Sequence, residues 1–238
     1  MLRSRLITCV TGQVGKLRCG VGVRVKTLNY QPEYRRYLPH IQPPGATLFV
    51  TYRLAGSIPA AVQEQLLAEI EEVEKRLAQI EDPVERARAA YLEHRRAFGR
   101  YDKVLDGAEY GPTWLKEPRI AKLVADSLHY WDKRRYDLDC FSIMSNHAHT
   151  VFTPLVKENG VYFALSRIMH SLKRYPANEG NKVLGRDGRF WQPESYDHVV
   201  RDEAELQRIR RYVLNNPVTA GLVDDWRNWP WAYFRDAD

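Results

Sequence analysis

Three cysteines in 238 residues, Cys9, Cys19 and Cys140, are too few and too scattered for a disulfide scaffold or a four-thiolate zinc site. A reducing cytosol is therefore the expected compartment. No run of about 18 uncharged apolar residues occurs, which excludes a membrane span. The opening MLRSRLITCVTGQVGKLRCG is broken by polar residues and glycine before an apolar segment of signal length develops, so no targeting signal is read. With 14 glycines and 13 prolines the chain is neither collagenous nor of low complexity. What remains, 44% hydrophobic and 28% charged residues, is the composition of an ordinary globular protein. The length allows one large domain or one domain with a sizeable insertion.

The net charge of +6 suggests a polyanionic partner, but most of it is local. Residues 1–45 carry Arg3, Arg5, Lys16, Arg18, Arg24, Lys26, Arg35 and Arg36 against Glu33, a net of +7. The rest of the chain, with 28 basic and 29 acidic residues, is close to neutral. Residues 1–30 show no periodicity and read as a basic, disordered extension or an upstream start; the alternative is an arm that holds DNA through its phosphates.

After the proline-rich Pro39 to Gly45, Thr47 to Leu54 is dense in β-branched and aromatic residues and reads as a strand. Leu66, Ile70, Val73, Leu77 and Ile80 share one helical face within Pro59 to Ile80. Asp82-Pro83 then opens a second helix carrying Val84, Ala87, Tyr91, His94, Phe98 and Tyr101. The pair reads as an intramolecular helical hairpin inserted at about 59–105, with His94 a packing residue. A third helix is expected from Pro118 to Trp131, strands over Tyr136 to Met144 and His147 to Phe152 joined by a turn at Ser145-Asn146, and a fourth helix from Val161 stopped by Pro176. A glycine-punctuated loop, an extended aromatic stretch and a last helix follow. That helix is capped by Asp202 with Glu205 completing a capping box, and ends before Pro217. Strands alternating with helices around an antiparallel hairpin indicate an α+β fold.

His147 and His149, two apart on a strand, project from one face and could offer two imidazoles to one metal ion. Alone the pair is equally compatible with two satisfied core histidines. On the last helix, Leu206, Ile209 and Val213 form the buried stripe, which places Tyr212 and Asn216 one turn apart on its flank, at the solvent-facing rim. Tyr175 and Tyr196 are rival nucleophiles without an oxygen donor one turn away. Arg189, Trp191 and Gln192 combine a base-stacking aromatic with polar side chains beside a flexible loop, a surface suited to single-stranded DNA. Trp226, Trp229 and Trp231 read as core or tail docking. Cys140 lacks the further ligands that a structural zinc would need.

These residues lie in longer motifs. FSIMSNHAHTVF resembles the strand of the HUH endonuclease superfamily, and SLKRYPANEGNKVLGRDGRFWQPESYDHVVRDEAELQRIRRYVLNNPVTAGLVDDWRNWPWAYF resembles the REP-associated tyrosine transposases. The likeness covers about Tyr34 to Phe234 and departs from the family pattern at Ser145, Ala148 and Pro176. It implies a ferredoxin-like antiparallel sheet with packed helices over residues 31–238. It also implies a divalent metal, Mg²⁺ or Mn²⁺, held by His147, His149 and Asn216, with Tyr212 as the nucleophile. Lys173 and Arg174 are implied as DNA contacts. The implied partner is single-stranded DNA folded into hairpins such as repetitive extragenic palindromes, handled in the cytoplasm, nucleoid-associated when on DNA, by a monomer or homodimer.

The implied chemistry is physically coherent. A divalent cation neutralises the phosphodiester that would otherwise repel a nucleophile. A phenolate leaves more readily than a sugar alkoxide, so a phosphotyrosine can be reversed by a DNA hydroxyl. The expectation is a metal-dependent enzyme that nicks and rejoins hairpin DNA. The alternatives are a non-cleaving nucleic-acid-binding protein on the same fold and an interaction protein built around the helical hairpin.

Overall fold

The structure, a computed structural model, describes residues 43–107 and 110–236 together with two short paired strands, β1 (Arg35–Arg36) and β2 (Leu38–Pro39). The expected extension over 1–30 and the side chain of His94 lie outside the described residues. All seven residues of β3 (Leu48–Leu54) are buried, so both faces of this strand are covered. Next come the hairpin helices α1 (Ala60–Leu77) and α2 (Pro83–Asp106), then α3 (Pro118–Trp131), β4 (Tyr136–Ile143) and β5 (His147–Pro154). The chain continues through α4 (Leu165–Val183), β6 (Trp191–Val199), α5 (Glu203–Thr219) and β7 (Ala232–Phe234). Five strands make one antiparallel sheet in the order β6-β3-β5-β4-β7, which gives an α+β fold. Among the described residues no helix is long and apolar enough to cross a membrane.

The sheet separates two cores. On one face Leu48, Val50, Tyr52 and Leu54 meet Ile120, Val124 and Leu128 of α3 and Leu165, Ile168 and Leu172 of α4. On the other, Phe49 and Val151 meet Val213 and Leu214 of α5, with Phe98 of α2 packed alongside. Cys140 joins this second core although Tyr136 and Leu138, at even spacing on the same strand, belong to the first. A bulge between Leu138 and Cys140 accounts for the switch, because one extra residue reverses the alternation. The residue in the bulge, Asp139, accepts two bonds from the Arg210 guanidinium and so fastens α5 to the sheet.

Two prolines expected to end helices lie inside them instead. α4 continues past Pro176 to Val183, and α5 past Pro217 to Thr219. Pro176 cannot donate to the carbonyl of Leu172 one turn earlier, and that carbonyl accepts from Ser127 Oγ of α3 at 3.2 Å. Its ring is buried, and Gly180 one turn later lets Phe190 approach the helix more closely than a Cβ would permit. The capping box is likewise only half formed. Asp202 accepts from Glu205 N at 2.7 Å, but the Glu205 carboxylate takes the backbone N–H of Arg201 instead of that of Asp202. Glu205 also accepts from Tyr91 OH at 2.5 Å, a link from α2 to α5. Burial disfavours its charge, but the bonds from Arg201 and Tyr91 outweigh this and hold its carboxyl down to about 2.

The hairpin leaves the sheet and returns to it at one place. Gly111 has φ +72°, open to glycine, and a Cβ there would overlap the Gly56 carbonyl. Asp82 caps α2 by accepting from Val84 N and Glu85 N, with Pro83 at the first turn as expected. The tail docks through Trp229, whose indole donates to Ile143 O at 3.0 Å, while Trp231 packs on the first core and Trp226 on the second.

Candidate active site

Alternation along β5 turns Ala148 and Phe152 into the α3–α4 core and turns His147 and His149 to the face covered by α2 and α5. Both imidazoles are wholly buried. Asn146, also buried, donates its Nδ2 to Leu105 O of α2 at 3.1 Å. Its Oδ1 is thereby left to accept from His147 Nδ1 at 2.7 Å, so the proton of His147 sits on Nδ1 and Nε2 presents a lone pair. His149 is held from the other side, with Nδ1 2.8 Å from Thr51 Oγ1 of β3. The two Nε2 atoms face each other at 3.0 Å. Two bare lone pairs repel at that distance, so the pair calls for a shared proton or a shared cation. Burial lowers the His147 imidazole to about 3 and, with His147 beside it, holds His149 well below its usual value. Both rings are neutral at physiological pH, the form in which imidazole ligates metals.

Two carboxylates from the end of α2 approach the imidazole pair, one beside each ring. Asp102 Oδ1 lies 3.7 Å from His149 Nε2, and Asp106 Oδ1 lies 3.5 Å from His147 Nε2. Asp102, His147 and His149 bring donor atoms within 4.8 Å of one another, a cluster that could hold a metal. Asn216 is 2% exposed, its side chain hydrogen-bonds Asp106, and its Oδ1 has no hydrogen-bond partner. The Oδ1 atoms of Asp102 and Asp106 are also buried without one. Unpartnered buried oxygens are costly unless something positive meets them. Imidazole nitrogen with carboxylate and amide oxygen is a donor set that could hold a divalent cation. The carboxyl of Asp102 is raised to about 8 by burial and then by the neighbouring Asp106, and that of Asp106 is raised by burial.

Tyr212 packs edge-on to His149 with ring centroids 5.4 Å apart and also borders Phe49 and Phe98. Its hydroxyl is buried and has no hydrogen-bond partner, in contrast to the solvent-facing rim expected of this helix flank. Leu206 and Ile209 are only partly buried, while Val213 is fully so. The expected group of His147, His149, Tyr212 and Asn216 therefore shares one side of the sheet.

The other candidates fall elsewhere. Tyr175 is 51% exposed on α4, across the sheet. Tyr196 stacks on Phe98 with centroids 4.2 Å apart, and burial, then Asp197, push its phenol well above the usual value. Trp191 is a core residue, 5% exposed and packed on Tyr52 and Phe190, so it offers no free face to a base. Lys173 donates to the carbonyls of Gln192, Pro193 and Glu194, where the register with β3 shifts and those groups leave the ladder. Its ammonium thus holds the strand where the ladder is interrupted. Arg174 and Arg189 are exposed, and the Gln192 side chain is half-buried. Cys140 is buried in the second core with Val151 and Val213, and no metal cluster among the described residues includes it. The contributions of Asp102, Asp106, Thr51 and Asn146 are not evident from sequence. The one available signal was two acids one helical turn apart near an apolar stripe, which is common on solvated helices.

No family model matches the chain. A protein of Haemophilus influenzae, described as a candidate REP-associated tyrosine transposase, is 32% identical over 54 residues, 23% of this chain. That match spans about a third, 31%, of the relative's length. A solved structure described as a REP-associated tyrosine transposase bound to a REP hairpin aligns over 85% of this chain and 82% of its own, at 16% identity and a TM-score of 0.47. Over those 54 residues the chain is similar to a REP-associated tyrosine transposase, the family that its sequence motifs resemble.

Proposed function

We propose that this protein nicks and rejoins single-stranded DNA that folds into hairpins, through a covalent phosphotyrosine on Tyr212. The observation that carries this reading is the convergence of two neutral imidazoles, facing each other at 3.0 Å, beside a tyrosine ring 5.4 Å from one of them. His147, His149 and Asn216 would hold a divalent cation, Mg²⁺ or Mn²⁺. When bound, it neutralises the non-bridging oxygens of a phosphodiester and fixes its orientation.

The chain's own groups supply the rest. Asn146 and Thr51 orient the imidazoles, and Phe49 stacks on His149 at 5.8 Å, which fixes the ring from its third side. The Tyr212 oxygen forms a bond to phosphorus as the bond from phosphorus to the leaving sugar oxygen breaks, and the phenolic proton ends on the released sugar hydroxyl. Bond energy is conserved in the phosphotyrosine, so attack by a DNA hydroxyl reverses the step and frees the phenol. Arg174 and Arg189, exposed on the side of the sheet away from the histidines or at its edge, are available for phosphate contacts.

Labelled single-stranded hairpin DNA incubated with the protein and Mn²⁺ should yield a covalent adduct that maps to Tyr212. His147→Ala and His149→Ala should abolish the adduct and largely spare DNA binding, because phosphate contacts elsewhere carry affinity. An adduct on Tyr175 or Tyr196, or undiminished cleavage by either histidine variant in excess chelator, refutes the reading.

A further inference from the structure

The helical hairpin contributes more than a neighbouring surface to this site. α1 contains no buried residue, so the hairpin is held to the body mainly by α2. The last turns of α2 carry Asp102, Leu105 and Asp106, and these are drawn down onto the sheet. Leu105 is fully buried with its carbonyl on Asn146 Nδ2, Asp102 is 3% exposed, and Asp106 bonds Asn216. Each aspartate nevertheless leaves one buried oxygen with no hydrogen-bond partner, pointed at the facing imidazole nitrogens at 3.7 and 3.5 Å. Phe98, one turn earlier, lies over the ring of Tyr212 at 6.1 Å, and the Tyr212 hydroxyl beneath is sealed from solvent. The covering helix and the unpartnered donors thus belong to one element.

We infer that Asp102 and Asp106 are ligands of the site's cation, and that the cation thereby clasps the helical hairpin shut over Tyr212. This rests on the reading of His147 and His149 as metal ligands and deepens it. Ligands from α2 and β5 can be satisfied together only while α2 stays seated, so binding energy of the ion becomes closing energy of the hairpin. A phosphodiester needs coordination positions and access to the phenol, so it would compete with the carboxylates, and its entry would release the clasp.

The test uses the full chain and Mn²⁺ alone, with titration calorimetry and amide hydrogen exchange as readouts. Mn²⁺ should slow exchange over residues 83–106 in the wild type and leave it unchanged in Asp102→Asn, Asp106→Asn and His147→Ala. Each aspartate variant should weaken Mn²⁺ binding about tenfold or more. Asp126→Asn, which removes an exposed acid paired with Lys122, should change neither readout. Circular dichroism of each variant establishes that it is folded. If Mn²⁺ binding is lost in His147→Ala but unaffected in both aspartate variants, or if it binds the wild type without slowing exchange in 83–106, the clasp is overturned and the histidine site stands. If the wild type binds no Mn²⁺, or His147→Ala binds it unchanged, the clasp and the histidine site fall together.

Discussion

Tyr212 sits with its hydroxyl buried and without a hydrogen-bond partner. A buried unsatisfied hydroxyl costs about 1–3 kcal/mol, so Tyr212→Phe should leave the melting temperature unchanged or raise it while abolishing the covalent adduct. Thermal denaturation alongside adduct mapping checks both halves. A fall in stability would mean that the hydroxyl has a partner in solution. Asp102 gives a second expectation. Its carboxyl is raised from 3.8 to about 8 by burial and then by Asp106. Between those values the folded protein keeps a proton that the unfolded chain has released, so the stability of metal-free protein falls as pH rises through this window. Asp102→Asn should flatten that decline and raise the melting temperature near pH 8 in chelator, and Mn²⁺ should then stabilise the variant less than the wild type. The histidines, Tyr212 and Asn216 were legible as candidates because strand alternation and one helical turn are local rules, and only the family resemblance gave them roles. Asp102 and Asp106 were not, because their meaning depends on where a hairpin inserted between Gly56 and Gly111 comes to rest.

Elements were legible in proportion to how local their causes are. The third helix and the capped start of α2 fall where periodicity and the Asp82-Pro83 pair put them. The two interior prolines defeated the same reasoning, because what carries α4 through Pro176 is a serine on another helix. Ser127→Ala should therefore leave the buried Leu172 carbonyl unmet and cost about 1–3 kcal/mol in urea denaturation, far more than an exposed serine would. Lys173 and Arg174 looked alike as neighbouring cations, yet only Lys173 donates to the three strand carbonyls. Lys173→Met should lower the melting temperature, whereas Arg174→Met should leave it within the small range of surface substitutions. Equal melting temperatures would argue against the strand-holding role.

At the scale of the whole molecule, charge and architecture part company. Residues 1–45 carry a net charge of +7, and the rest of the chain is close to neutral. If residues 1–30 hold DNA through its phosphates, deleting them should weaken binding to all DNA sequences alike and flatten the dependence of affinity on salt, since counterion release ignores sequence; if they are an upstream extension, deletion should change neither. Loss of sequence discrimination with an unchanged salt slope contradicts that role. The close approach of Gly56 and Gly111 has a separate consequence. A segment whose two ends already touch is a closed excursion, and joining those ends costs the rest of the chain little additional ordering entropy. The hairpin is thus a module that a short linker could replace. A protein so shortened would keep its strand order and both histidines, but it would have an open, carboxylate-free site and an unguarded tyrosine.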